Sequence, residues 1–91
     1  MAIDIQHQPE QQRFEATLDG HRGANEYRID GGVMTIIHTE VAAELEGKGV
    51  AGALTQAALD YAKARGLKVK AVCSYARGYM QRHPETLELK A

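Results

Sequence analysis

The apolar residues of this chain change from the period of a strand to that of a helix just before Val50, and three glycines stand there. Up to Val41 they follow the two-residue repeat of strands. From Val50 onward Val50, Ala53, Leu54, Ala57, Ala58, Tyr61 and Ala62 follow the i, i+3, i+4, i+7 stripe of a helix lying on a sheet. Between the two patterns runs Glu44-Leu45-Glu46-Gly47-Lys48-Gly49-Val50-Ala51-Gly52. A glycine-rich strand-to-helix turn lets the backbone approach a ligand closely, and the unpaired N–H groups of the first helical turn point at it with the positive end of the helix dipole. Such a turn suits a phosphate.

Two familiar phosphate templates fit poorly. The spacing Gly-x-Gly-x-x-Gly matches a dinucleotide fingerprint, but that motif needs an acidic residue at the end of the next strand to hold the ribose. Here the strand Leu67-Lys-Val-Lys-Ala-Val-Cys73 ends in Cys73 and Ser74. A nucleoside-triphosphate loop needs Ser or Thr after Gly-Lys, whereas Gly49 follows Gly47-Lys48, and Ala42 stands where its leading glycine belongs.

The rest of the chain reads as β-β-β-β-α-β-α, a mixed sheet of the α+β class. Ile3 to His7 alternates weakly and Arg13 to Leu18 clearly, with Phe14, Ala16 and Leu18 on one face. Asp19-Gly20 and Asp30-Gly31-Gly32 are tight-turn signals, so residues 3 to 41 form an antiparallel meander of four strands. In Val33 to Val41 one face carries Val33, Thr35, Ile37, Thr39 and Val41, the other Met34, Ile36, His38 and Glu40. Apolar residues on both faces predict a central strand covered on each side. Gly66 caps the helix, the next strand spans Leu67 to Cys73, and a short helix over about Tyr75 to Arg82 stops at Pro84.

Met34-Thr-Ile-Ile-His-Thr-Glu-Val41, Gly47-Lys-Gly-Val-Ala51, the helix end Arg65-Gly66 and Cys73-Ser-Tyr-Ala-Arg-Gly-Tyr-Met-Gln-Arg-His-Pro84 carry a resemblance. From Val33 to Pro84 the chain resembles the GNAT superfamily of acyl-CoA-dependent N-acyltransferases, and specifically its very short branch. The resemblance implies one GNAT-like domain over residues 1–91 that moves an acetyl group from acetyl-CoA to an amine by direct attack. It places the pyrophosphate of coenzyme A on the amides of Gly47, Lys48, Gly49, Val50 and Ala51, with the pantetheine arm between the strands ending at Val41 and Cys73 and contacts at Val41 and Ser74. Glu44 stands where the superfamily has Gln or Arg. A carboxylate there is unfavourable beside a pyrophosphate unless it points away. Residues 8 to 12 leave room only for a turn where a full-length member has helices walling the acceptor pocket, so the acceptor side is expected to be open. An open side suits a protein-borne amine or a polyamine better than a small metabolite needing burial.

The same resemblance puts Tyr79 where many members have a tyrosine that protonates the departing thiolate. A phenol with a pKa near ~10 can donate to a thiolate whose parent thiol has a pKa near ~8.5. Tyr75 is the alternative donor. Glu40 and His38 share a strand face, so either can take the proton of an attacking ammonium, directly or through water. The oxyanion would be held by a backbone N–H near Val41. Cys73 ends its strand beside the expected thioester and could accept the acyl group, though a free cysteine is often only a small apolar filler. A non-catalytic acyl-CoA-binding or interaction module would keep the glycine turn and be indifferent to Tyr79 and Glu40.

Charge and cysteine usage narrow the partners. The net charge of −1 hides an asymmetry: residues 1–46 carry nine acidic and three basic side chains, residues 47–91 three acidic and eight basic. Lys48, Lys68, Lys70, Arg77 and Arg82 lie in the basic half with the glycine turn and can steer a polyanion such as coenzyme A. Nucleic acid is a weak alternative, because the chain has no Trp and one Phe to stack bases. One cysteine and four scattered histidines give no structural metal spacing. The apolar runs are far shorter than the ~20 residues of a membrane span, and a cytoplasmic protein is expected, whose 91 residues give it modest stability and leave room for a homodimer.

Overall fold

Tight turns build the first half of the molecule. In the computed structural model, which describes residues 3–91, strands β1 (Asp4–Gln8), β2 (Arg13–Leu18), β3 (His21–Asp30) and β4 (Val33–Val41) pair antiparallel in sequence order. Asp19 and Gly20, and again Gly31 and Gly32, have positive φ. Two consecutive residues of that kind make the primed turn whose twist matches the strands it joins. Between β1 and β2 stands only the 3-10 turn Pro9–Gln11.

Helix α1 (Val50–Ala64) then crosses to β5 (Lys68–Ala71), which pairs parallel with β4, and α2 (Ser74–Arg82) follows. The sheet order is β1-β2-β3-β4-β5, the mixed α+β sheet that the periodicity predicts. Strand β5 is shorter than expected, ending at Ala71 and not at Cys73. The amides of Val72 and Cys73 both donate to the carbonyl of Ile36, after which the chain turns into α2.

One apolar core holds the layers together. Phe14, Ala16 and Leu18 of β2, Tyr27 of β3, Met34 and Ile36 of β4 and Val69 of β5 share it with Leu54, Ala58 and Ala62 of α1 and Ala76 and Met80 of α2. Both helices therefore lie on one face of the sheet. The expectation that β4 is covered on each side is wrong: among the described residues no helix covers the other face, and Ile37 is 40% exposed there.

The assignment of faces along β4 is also corrected. Tyr27 pairs with Ile36 but Glu26 pairs with His38, so Ile37 is an extra residue, a β-bulge. Past it the alternation changes phase. Thr39 and Val41 pair with Asn25 and Gly23 on the helix-covered face, while His38 and Glu40 join Glu26 and Ala24 on the open one.

An aromatic cluster sits beneath β1 and β2. His7 stacks on Phe14 at 4.1 Å and meets the Tyr61 ring edge-on at 4.4 Å. The Tyr27 hydroxyl donates to Nε2 of His7 in the Nδ1-protonated tautomer. Burial, and then the Arg65 guanidinium, lower the pKa of His7 from its ordinary value of 6.5. The unfolded chain thus binds this proton more readily than the folded one, so the neutral imidazole's contribution is complete above pH ~6.5 and is lost as pH falls through that value toward the depressed one. Urea unfolding between pH 7.5 and 5 is expected to show His7→Phe losing less stability on acidification than the wild type. Parallel pH profiles would refute the role of His7.

Candidate active site

The site is built where β4 and β5 part. The two strands are paired as far as Ile36 and Ala71, and beyond them β4 runs on to Val41 with no strand partner on that side among the described residues. Both helices begin at this opening. They run alongside each other, with the Tyr75 hydroxyl of α2 against Gly52 of α1 and Tyr79 one helical turn further, against Gln56. Two positive helix ends therefore face the same space.

A cleft of about 330 Å³ lies there, lined by Val41, Leu45, Glu46, Gly47, Gly49, Val50, Ala51, Gly52 and Tyr75. Gly49 has φ +80, a left-handed value that disfavours any side chain, and open space lies beyond its Cα. That leaves the first amides of α1 uncovered. Val41, Gly47, Gly49, Val50 and Ala51 thus line one cleft. Lys48 turns away to Asp19 at 3.3 Å, and Ser74 is exposed at the start of α2 outside the cleft lining. Glu44 also points elsewhere, its carboxylate 3.8 Å from His21, whereas Glu46 does line the cleft.

The two tyrosines divide. Tyr79 is buried, and its hydroxyl donates to Oε1 of Gln56 at 2.6 Å, with Gln56 in turn donating to Asp60 at 2.8 Å. Burial raises the Tyr79 pKa, helped by Tyr75, Glu85 and Asp60 against the opposing Arg82. Tyr75 is half-buried, lines the cleft, and has the Arg82 guanidinium 5.6 Å over its ring. Spacing along α2 could not separate these residues, since positions four apart share a helix face. The alignment of α2 with Gly52 separates them.

Cys73 stands at the apex of the opening as the residue capping α2. Its Sγ lies 3.6 Å from Oγ1 of Thr39. Burial disfavours the thiolate, but the Ala76 amide, the Thr39 hydroxyl and the amides of Tyr75 and Thr39 outweigh it, so the thiol ionises below its ordinary value.

His38 and Glu40 lie on the open face, 3.3 Å apart from Nε2 to Oε2. Glu40 borders a shallow groove of about 340 Å³ whose lining includes Glu15, Arg22, Ala24 and Val41. Ala24 is the small residue between Glu15 and Glu40 in a row across β2, β3 and β4. Val41 belongs to both the groove and the cleft. The strand end is therefore the point where the two sides of the sheet communicate.

Comparison with known proteins agrees with this architecture. Residues 13–89 match the family described as GCN5-related N-acetyl-transferase. The chain is 31% identical over 85 residues to the proteins called NATD1 of Gallus gallus and Mus musculus, covering 90% of this chain and 77% of theirs. The solution structure of a GCN5-like candidate N-acetyltransferase from Staphylococcus aureus superposes with a TM-score of 0.75 at 26% identity, over 97% of this chain and 87% of that one. An IAA acetyltransferase from Bacillus cereus shares the fold, with a TM-score of 0.58 at 22% identity over 78% of this chain and 52% of that one. The class is thus the GNAT fold of acyl-CoA-dependent transferases. Within it, this chain belongs to the GCN5-related N-acetyltransferase family.

Proposed function

We propose that this protein transfers an acetyl group from acetyl-CoA to an amine. The observation that carries the reading is the opening between β4 and β5, which leads directly onto the uncovered amides at the start of α1. Those amides and the helix dipole suit the pyrophosphate of coenzyme A, and the unpaired strand end from Thr39 to Val41 suits the amides of the pantetheine arm. The amine enters over the open face, where Glu40, with His38 beside it, takes its proton. Attack on the thioester carbonyl forms the new C–N bond, and the C–S bond then breaks. In this reading the departing thiolate takes its proton from Tyr75, whose hydroxyl is at the cleft, and not from Tyr79, whose hydroxyl is already donated to Gln56.

A second reading is favoured by one observation, the position of Cys73 at the apex with its ionisation assisted. In it the thiolate attacks the thioester first, coenzyme A leaves as its thiol, and the amine then displaces the acyl group from sulfur. One experiment addresses both readings. Acetyl-CoA and free coenzyme A are expected to raise the melting temperature and NAD to leave it unchanged. Intact mass after acetyl-CoA without an amine is expected to show no lasting 42 Da adduct, roughly the mass of one acetyl group, if transfer is direct. Stabilisation by NAD alone would sink the acyl-CoA assignment, and an adduct on Cys73 would favour the two-step route.

A further inference from the structure

The bulge at Ile37 does more than expose one isoleucine: it turns Thr39 inward, toward the helices. The Thr39 hydroxyl there lies between two groups. Nδ2 of Asn25 donates to its oxygen at 3.0 Å, and Sγ of Cys73 is 3.6 Å from the same atom. Asn25 is fully buried, pairs with Thr39 across β3 and β4, and its Oδ1 has no partner among the described residues. A sealed amide with one half unsatisfied costs stability that an apolar residue at the same position would not. What the amide does achieve is orientation. With one lone pair of Oγ1 occupied by the Asn25 N–H, the threonine proton is available to donate to sulfur once the thiol has released its own proton to solvent.

We infer that Asn25 and Thr39 are positioning residues that hold the thiolate of Cys73 at the point where β4 and β5 part. The inference rests on the proposed placing of an acyl thioester in that opening, and it goes beyond it by assigning work to two side chains that do not line the cleft. Lys68 and Lys70 on β5, Tyr75, Arg77, Tyr79 and Arg82 on α2, and His38 and Glu40 on β4 are the titratable side chains of the elements that meet around Cys73. The groups favouring its thiolate are none of these side chains but the Thr39 hydroxyl and nearby amides. The sequence hides this arrangement, because strict alternation puts Thr39 on the opposite face from Ile36.

Cys73 is the only cysteine, so alkylation of the protein by iodoacetamide reports this thiol alone. The rate is read against pH in the absence of acetyl-CoA. Thr39→Val, which keeps the side-chain shape and deletes the hydroxyl, is expected to raise the midpoint by about one pH unit, or about tenfold less thiolate at a given lower pH. Thr39→Ser should keep the wild-type midpoint, and Asn25→Ala should raise it by less than Thr39→Val. An unchanged midpoint in Thr39→Val, or an equal rise in Thr39→Ser, overturns the inference. Should the valine variant fail to fold, Thr39→Ala carries the same test. A shifted midpoint in a protein that acetyl-CoA does not stabilise would retain the positioning pair and refute the cleft as an acyl-CoA site. The two ideas therefore fail separately.

Discussion

Gly49→Glu is expected to abolish stabilisation by acetyl-CoA altogether, through two effects that the structure separates. The residue caps α1 with φ +80, and an L side chain there carries a left-handed strain of about 1–2 kcal/mol. That cost lowers the melting temperature of the unliganded protein. The second effect falls on the ligand, since the open space beyond Gly49 is then filled by a carboxylate at the mouth of the cleft. Like charge beside a pyrophosphate, added to Glu46 already on the lining, removes the reason for an anion to bind. Gly49→Asn is the control, because asparagine tolerates left-handed backbone and brings no charge. It should fold nearly as well as the wild type and retain part of the acetyl-CoA shift. Equal stabilisation of wild type and Gly49→Glu would remove the glycine turn from the binding site.

Much of the fold was legible because its signals are local. The paired turns at Asp19-Gly20 and Gly31-Gly32 fix two hairpins by backbone conformation alone, and the change of period at Val50 marks the helix. The length of the β1–β2 connection likewise predicts a turn in place of helices, and residues Pro9–Gln11 form one. The bulge was not legible. In Met34-Thr-Ile-Ile-His-Thr-Glu-Val41 apolar residues occupy both parities, so no phase of a two-residue repeat is preferred, and the same run fits a strand covered on both faces. The adjacent pair Ile36-Ile37 holds the only trace of it: one is fully buried and its neighbour is 40% exposed. Register across β3 decides between them, and register is a tertiary property.

The same distinction governs the site. Gly47, Gly49, Val50 and Ala51 could be placed together from sequence because they are neighbours in one turn. Leu45, Glu46, Gly52 and Tyr75 also line the cleft, and of these only Tyr75 is distant in the chain. Its place depends on how α2 is set alongside α1, which nothing in residues 74–82 specifies. Gly52 is the one signal that could have been used. A glycine inside a helix, with a Tyr75 hydroxyl 3.4 Å from where its Cβ would be, marks the spot where another group comes close.

That setting makes Tyr75→Phe the substitution with the largest expected effect on turnover. It deletes the hydroxyl at the cleft and leaves the ring under Arg82. Acetyl-CoA affinity and melting temperature should therefore stay close to wild type, while turnover falls by the ~10²–10⁴ typical of a lost proton donor. Tyr79→Phe should behave in the opposite way. Its hydroxyl is the partner of Gln56, and losing that hydrogen bond to a half-buried amide costs stability on the order of 0.5–1.5 kcal/mol with chemistry retained. Steady-state kinetics with an amine found by screening peptides and polyamines, together with melting curves for both variants, distinguishes the outcomes. A dead but stable Tyr79→Phe beside an active Tyr75→Phe would return the donor role to Tyr79, requiring its hydroxyl to leave Gln56 when substrate binds. Normal turnover in both would leave protonation to water. No transfer by the wild type to any amine, with acetyl-CoA still bound, would instead mark a binding module.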